Sequence, residues 1–244
     1  MIKVTRYLFR FAHFVHAFLG LILGLLIYLI DIYSPQSMHP TLWIILTIVL
    51  IVNGLFLGRI MNKLHKDVYQ DNLTGLGNKE LFYLQLKLEM SNVKNAQLSL
   101  AMLDLDDFKK INDSFGHPAG DMVLRDLARI FKQNVRRTDT VVRWGGEEFA
   151  IILPNLIPDG DRKLLERIRG IIESHDFGSK VNSRKVTVSV GVVSYSDLMD
   201  LMDLTVKNSE EINPTDLFVN LADKALYKAK ETKNTVVRWS FDCK

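Results

Sequence analysis

No Lys, Arg, Asp or Glu occurs over residues 11–30. That is enough chain to cross hydrocarbon as a helix, which takes about 20 residues. After Asp31 the next charge is Arg59, and residues 42–57 are mostly Leu, Ile and Val. Residues 33–40 (YSPQSMHP) separate the two runs with prolines and polar side chains. Unpaired backbone groups are costly in lipid, so helices are the form such runs adopt. A two-helix transmembrane hairpin over residues 1–58, with a short outer loop, is the expectation. Lys3, Arg6 and Arg10 precede the first run, Arg59, Lys63 and Lys66 follow the second, and the loop carries no Lys or Arg. Positive residues collect on the cytoplasmic side, so both ends should face the cytoplasm. The first run is too long for a secretory signal and lacks a small-x-small cleavage site. His13 and His16 stand three apart on the first span, and His39 falls in the loop. Polar groups on membrane helices are candidate sites, although an interfacial histidine needs no ligand.

Charge is distributed accordingly. Residues 1–70 hold six basic and two acidic side chains, which leaves 25 basic and 26 acidic in the remainder. A nucleic-acid-binding surface is not indicated. One cysteine among 244 residues excludes an intrachain disulfide and a Cys-cluster metal site. Between Gly54 and Pro118 there is no proline, so the second span can continue as a juxtamembrane helical linker over residues 59–72. Leu57, Met61, Leu64 and Val68 follow the 4-3-4 spacing of a coiled-coil seam.

From residue 73 to 244 helical and strand patterns alternate. Helices are expected over 77–95, from Asp121 to about Arg137, over 161–174 and over 215–231. Strands are expected over 98–105, 140–144, 147–153, 185–193 and 235–239. Gly145-Gly146 between two β-rich runs suggests a hairpin with a tight primed turn. The acidic, Met/Leu-rich stretch 194–214 has no clear period. Such alternation implies one α+β or α/β domain.

The strand at 98–105 ends in Asp104, Asp106 and Asp107, and the hairpin tip carries Glu147 and Glu148. Carboxylates clustered at strand ends repel one another unless a cation relieves them. Mg²⁺ typically takes one or two carboxylates together with phosphate oxygens. An acidic hairpin tip alone is commonly just a solvated turn.

Several ordered motifs add to these acids. Residues 143–149 (RWGGEEF) resemble the signature hairpin of the GGDEF diguanylate cyclases, in its GGEEF form. Residues 71–78 (DNLTGLGN), 104–113 (DLDDFKKIND) with Gly116-His117 and Gly120-Asp121, 188–192 (VSVGV) and 222–230 (ADKALYKAK) are similar to the family's other elements. The resemblance covers residues 71–239 and does not extend to residues 1–70. It implies a ferredoxin-like, palm-like α+β domain with a central sheet flanked by helices, here preceded by the two transmembrane helices.

The family condenses two GTP into cyclic di-GMP, one GTP per protomer, in a homodimer. By similarity, Asp104, the Leu105 carbonyl and Glu147 hold Mg²⁺, two ions per site, with Mn²⁺ as an alternative. Asn112, His117 and Asp121 bind substrate, Asn112 and Asp121 reading guanine. A carboxylate can accept from N1–H and N2–H₂ together, a donor pair that adenine lacks. Lys109 and Lys230 stabilise the phosphoryl transition state. Glu147 is the usual base, although a metal-bound carboxylate is a poor one; Glu148 or water is the alternative. Arg136 and Asp139 match the family's RxxD product-inhibition site. Asp121 also suits a plain helix N-cap.

Two departures stand out. Lys79 occupies a position where the family has Arg, and the Gly-Arg-Asn after the last helix is reduced to Lys233-Asn234. The reading is a multi-pass diguanylate cyclase of a bacterial inner membrane. The alternatives are a silent domain that senses cyclic di-GMP and a membrane scaffold that binds GTP.

Overall fold

The computed structural model describes residues 2–33, 40–92, 97–155, 159–178, 181, 185–205, 213–241 and 243. Two compact units divide it, residues 1–68 and 69–244.

The first unit is a pair of antiparallel helices, α1 (Ile2–Ile32) and α2 (Pro40–Tyr69). A β-carbon on Gly20 would lie 3.2 Å from the Leu50 carbonyl oxygen, and one on Gly24 2.8 Å from Thr47 Oγ1. This G-x-x-x-G spacing lets the backbones approach closely. Trp43 Nε1 donates to the Asp31 carboxylate at 2.6 Å, and both side chains are buried. Among the described residues one segment is long and apolar enough to span a membrane, Trp43–Leu64 with mean hydropathy 2.3; α1 contributes the shorter run Phe18–Ile32. Of the two expected spans the described residues therefore carry one. The side chains of His13 and His16, the outer loop and His39 lie outside the described residues. Helix α2 runs unbroken through the Trp43–Leu64 segment and on to Tyr69, three residues short of the expected linker's end, and Leu57, Met61, Leu64 and Val68 on it are all exposed.

In the second unit, α3 (Lys79–Ser91) leads to β1 (Leu98–Leu105), α4 (Phe108–Phe115) and α5 (His117–Asn134). The hairpin β2 (Thr140–Arg143) and β3 (Glu148–Pro154) follows, then α6 (Gly160–Ser174), β4 (Val188–Ser194), α7 (Tyr195–Thr205), α8 (Pro214–Thr232) and β5 (Val236–Arg238). The sheet order is β2-β3-β1-β4-β5; every pairing is antiparallel except β4 with β5. The first four strands have the ferredoxin-like βαββαβ order.

Strand β1 is buried on both faces. Ala101, Leu103 and Leu105 join a core with α4, α5 and α6, while Leu98, Leu100 and Met102 join one with α3, α7 and α8. Two buried faces explain why its sequence is nearly all apolar rather than alternating. Helix α8 lies directly on β4: a β-carbon on Gly191 would fall 2.1 Å from the Leu226 backbone nitrogen.

Three expectations change. Two helices, not one, follow β1. Asp107 (φ 58) opens α4, and Gly116 (φ 83) allows α5 to start at once, at His117. Asp121 thus lies in the body of α5 and is not its N-cap. The hairpin turn is not primed, because neither Gly145 nor Gly146 has positive φ; Trp144 and Gly145 N–H both donate to the Glu148 carbonyl. The formless stretch after β4 begins with α7, anchored by buried Leu198, while residues 206–212 lie outside the described residues.

Candidate active site

Register assembles the acidic end of the sheet. Asp104 on β1 pairs with Glu148 on β3, and Leu105 N–H donates to the Glu147 carbonyl at 3.4 Å. Glu147 therefore stands at the turn immediately beside the end of β1. Lys230, in the last turn of α8, reaches Asp104 Oδ2 at 2.7 Å. Asp104 is buried, and its carboxyl is pushed above the usual range by burial and by the charges of Glu148 and Asp106, against the pull of Lys230. Glu147 is also raised, by burial and then by the neighbouring Asp104 charge, with Lys230 opposing. Two neighbouring carboxylates, both raised by burial and by nearby negative charge, fit a hard divalent cation. Among the described residues no cluster of three or more His, Cys, Asp or Glu forms. The expected set is smaller than that: two carboxylates and one main-chain carbonyl.

The remaining acids of the DLDD run do different work. Asp106 turns inward, accepting from Thr187 Oγ1 and Ser189 Oγ, both at 2.7 Å, and from Asn234 N–H at 2.9 Å. It ties β1, β4 and the turn after α8 together. Asp107 binds Lys110 at 2.9 Å and Lys233 at 2.8 Å, and these hydrogen bonds hold its carboxyl below the usual range. Lys230 and Lys233, three apart at the end of α8, thus face Asp104 and Asp107, three apart at the exit of β1. Lys233 (φ 58) and Asn234 (φ 48) are both left-handed, a conformation that favours glycine.

Arg143 braces the tip. Its guanidinium donates to the Gly145 carbonyl at 3.1 Å, to that of Gly146 at 2.7 Å, and to Asp71 Oδ2 at 3.2 Å. Asp71 accepts from the N–H and hydroxyl of Thr74. Burial raises the Asp71 carboxyl, but the Thr74 and Arg143 hydrogen bonds outweigh it and the net shift is downward. The hairpin tip is thereby fastened to the beginning of the domain. A β-carbon on Gly145 would lie 2.8 Å from Glu148 Oε2, so a side chain there would displace that carboxylate. Lys79 stacks its ammonium 4.3 Å above the Trp144 ring, next to the tip.

Asn112 lies on α4, facing α5: a β-carbon on Gly120 would sit 2.0 Å from its Oδ1. Asp121 is the next residue of α5, and His117 is exposed at the start of that helix. Lys109 is exposed on the first turn of α4. Among the described residues the side chains of Asn112, His117 and Asp121 make no hydrogen bond within the chain.

Arg136 and Asp139 do not join this group. Arg136 Nη2 donates to Asp139 Oδ1 and to the Pro154 carbonyl, both at 2.8 Å. Pro154 ends β3 opposite Leu98, so the pair stands at the far end of the sheet from Glu148. Six residue steps of strand, Glu148 to Pro154, separate the ends, roughly 20 Å. The Asp139 carboxylate also accepts from Arg136 N–H, and its side chain is 0% exposed.

Asp106, Arg143 and Lys233 have structural work that the sequence reading did not give them. For Lys233 the shortened Lys233-Asn234 motif marked the position, but its bond to Asp107 appears only in the structure. For Asp106 only contacts distant in sequence reveal it, and for Arg143 the distant bond to Asp71 does so together with the local ones to Gly145 and Gly146.

The fold is a mixed α+β domain, a central sheet flanked by helices, with an acidic strand end. Residues 68–235 match the family described as "Diguanylate cyclase, GGDEF domain", and the chain belongs to that family. It is 34% identical over 172 residues to the probable diguanylate cyclase DgcT of Escherichia coli K12, covering 69% of this chain and 35% of that protein. To diguanylate cyclase A of Treponema denticola it is 38% identical over 169 residues, covering 66% and 41%. The chain thus aligns with less than half the length of either relative. The coiled coil and GGDEF domain of DgcB from Caulobacter crescentus, solved in complex with c-di-GMP, superposes with a TM-score of 0.63 at 26% identity, over 77% of this chain and 94% of that one.

Proposed function

We propose that the chain is a membrane-anchored diguanylate cyclase that converts two GTP into cyclic di-GMP and two pyrophosphates as a homodimer. The observation that carries this reading is the meeting of Asp104, Glu147 and Lys230 at one strand end, with both carboxyls raised. Asp104, Glu147 and the Leu105 carbonyl would hold Mg²⁺ or Mn²⁺. When bound, the metal supplies neutralisation of charge on the phosphoryl oxygens and the departing pyrophosphate.

The protein side chains supply position and charge. Asn112 and Asp121, on facing helices, hydrogen-bond the guanine edge, with His117 beside them. Lys230 and Lys109 place ammonium groups near the triphosphate. The 3′-hydroxyl of one GTP attacks the α-phosphorus of the other, the bond to pyrophosphate breaks, and a second such step closes the ring. Each domain binds one nucleotide, so two must face each other. Glu147 or Glu148 takes the hydroxyl proton. Arg136 and Asp139 bind product at the far end of the sheet, with Arg136 turning from Asp139 to the ligand. The apolar residues of α1 and α2 hold the chain in the bacterial inner membrane as two spans, both termini cytoplasmic.

Full-length protein incubated with GTP and Mg²⁺ should release cyclic di-GMP, and Glu147→Ala should abolish synthesis without changing the unfolding transition. Unconsumed GTP with the wild-type chain would overturn the reading.

A further inference from the structure

Near the midpoint of the Trp43–Leu64 span, Asn53 presents a carboxamide on the outer surface of α2. It makes no hydrogen bond among the described residues. Polar groups left without partners in hydrocarbon are costly, and asparagine on a membrane helix is relieved by bonding across to another helix. Helix α1 is not that helix. The face of α2 turned to α1 carries Trp43, Thr47 and Leu50, with Gly54 and Gly58 buried along the same stripe. Asn53 stands about a quarter turn away from that stripe at 100° per residue.

Asn53 is not isolated on its face. Leu57, Ile60 and Leu64 continue from it in 4-3-4 spacing, 45%, 38% and 54% exposed. One asparagine in an otherwise apolar 4-3-4 seam is relieved when a like helix brings a matching carboxamide opposite it. A lipid acyl chain offers the carboxamide nothing, whereas a second copy offers an identical carboxamide, able to donate and to accept.

We propose that the Asn53–Leu57–Ile60–Leu64 face of α2 is a docking surface for the same face of a second copy, with the two Asn53 carboxamides hydrogen-bonded to each other inside the membrane. The inference rests on the membrane-anchored, paired reading above and adds where the two chains join. The paired carboxamides hold the two helices in line with each other at that level. This arrangement also leaves α1 on the outside of the pair.

Disulfide trapping of full-length protein in lipid vesicles tests the surface without reference to activity. In a Cys243→Ser background, Asn53→Cys, Leu57→Cys and Leu64→Cys should give disulfide-linked dimers on mild oxidation. Val52→Cys and Phe56→Cys, on the side of α2 away from α1, should give few. Equal trapping at all five positions, trapping mainly at Val52 and Phe56, or none at any would overturn the proposal, the last marking the face as lipid-covered. Asn53→Leu should weaken self-association, followed by energy transfer between labelled chains at rising dilution in lipid, by about threefold to twentyfold; Asn53→Gln should retain most of it. Unaltered association in Asn53→Leu would remove the hydrogen bond from the account. GTP turnover on the same vesicles separates the two readings. Trapping at the seam without product would sink the enzymatic reading and leave the surface standing, and product with trapping elsewhere would do the reverse.

Discussion

Gly120→Ala should impair nucleotide recognition while leaving the fold intact. The added β-carbon would lie 2.0 Å from Asn112 Oδ1, 3.1 Å from its Cγ and 3.0 Å from the tip of the Phe108 ring. Ordinary contact begins near 3.4 Å, so the Asn112 oxygen must retreat by about 1.4 Å. The useful window for a hydrogen bond is only about 0.5 Å wide. A carboxamide displaced that far would lose the bond to the base proposed for it, a net of about 0.5–1.5 kcal/mol. At about 1.4 kcal/mol per tenfold, KM for GTP should rise roughly 2- to 12-fold. The kcat should change little if the bond serves binding rather than the transition state. Stability should hold, because alanine is favoured over glycine by about 1 kcal/mol within a helix, which offsets the pressure on Phe108. Initial rates of cyclic di-GMP formation against GTP concentration, with thermal unfolding alongside, measure both quantities. The decisive control is Asn112→Ala: in that background Gly120→Ala should have no further effect on KM. An unchanged KM in the single variant, or full additivity in the double, would refute the reasoning.

Gly191→Ala is the structural contrast, since its β-carbon would meet backbone atoms of α8, Leu226 N at 2.1 Å and the Ala222 carbonyl oxygen at 2.4 Å, which cannot rotate away. Overpacking of that kind costs about 1–3 kcal/mol or more, so Tm by calorimetry should fall by roughly 2–12 °C. Asp104→Asn should abolish synthesis yet raise Tm at neutral pH without added metal. The folded carboxyl titrates above its unfolded value, so its ionisation opposes folding; the gain should vanish below the unfolded pKa, near pH 3.8, and grow as pH rises through the folded one. Arg136→Ala should relieve inhibition by added cyclic di-GMP in a turnover assay, whereas Asp139→Ala should in addition lower Tm, because it removes the buried partner of Arg136 and its N–H.

Much of the site could be read from residue order alone because its parts are local. The acids at 104–107 and 147–148 end β-runs, and a strand end beside a turn is visible in hydrophobic period. What failed was whatever depended on φ or on distant partners. Capping chemistry favours a helix start at Asp121, but Gly116 in a left-handed conformation allows the helix to begin at His117. A primed turn seemed sound from Gly-Gly, yet the Arg143 guanidinium holds that turn open through two carbonyls.

By itself the sequence determined the apolar segments, the alternation of helix and strand, and the motif set that places the chain in its family. All of these are encoded in spacing along one dimension. Only the tertiary structure decided that Lys230 meets Asp104 across 126 residues, that Asp106 faces inward, and that Arg136 and Asp139 lie at the opposite end of the sheet. Periodicity specifies which face of an element is buried. Which ends share space is set by strand register and by the helices that cross between strands.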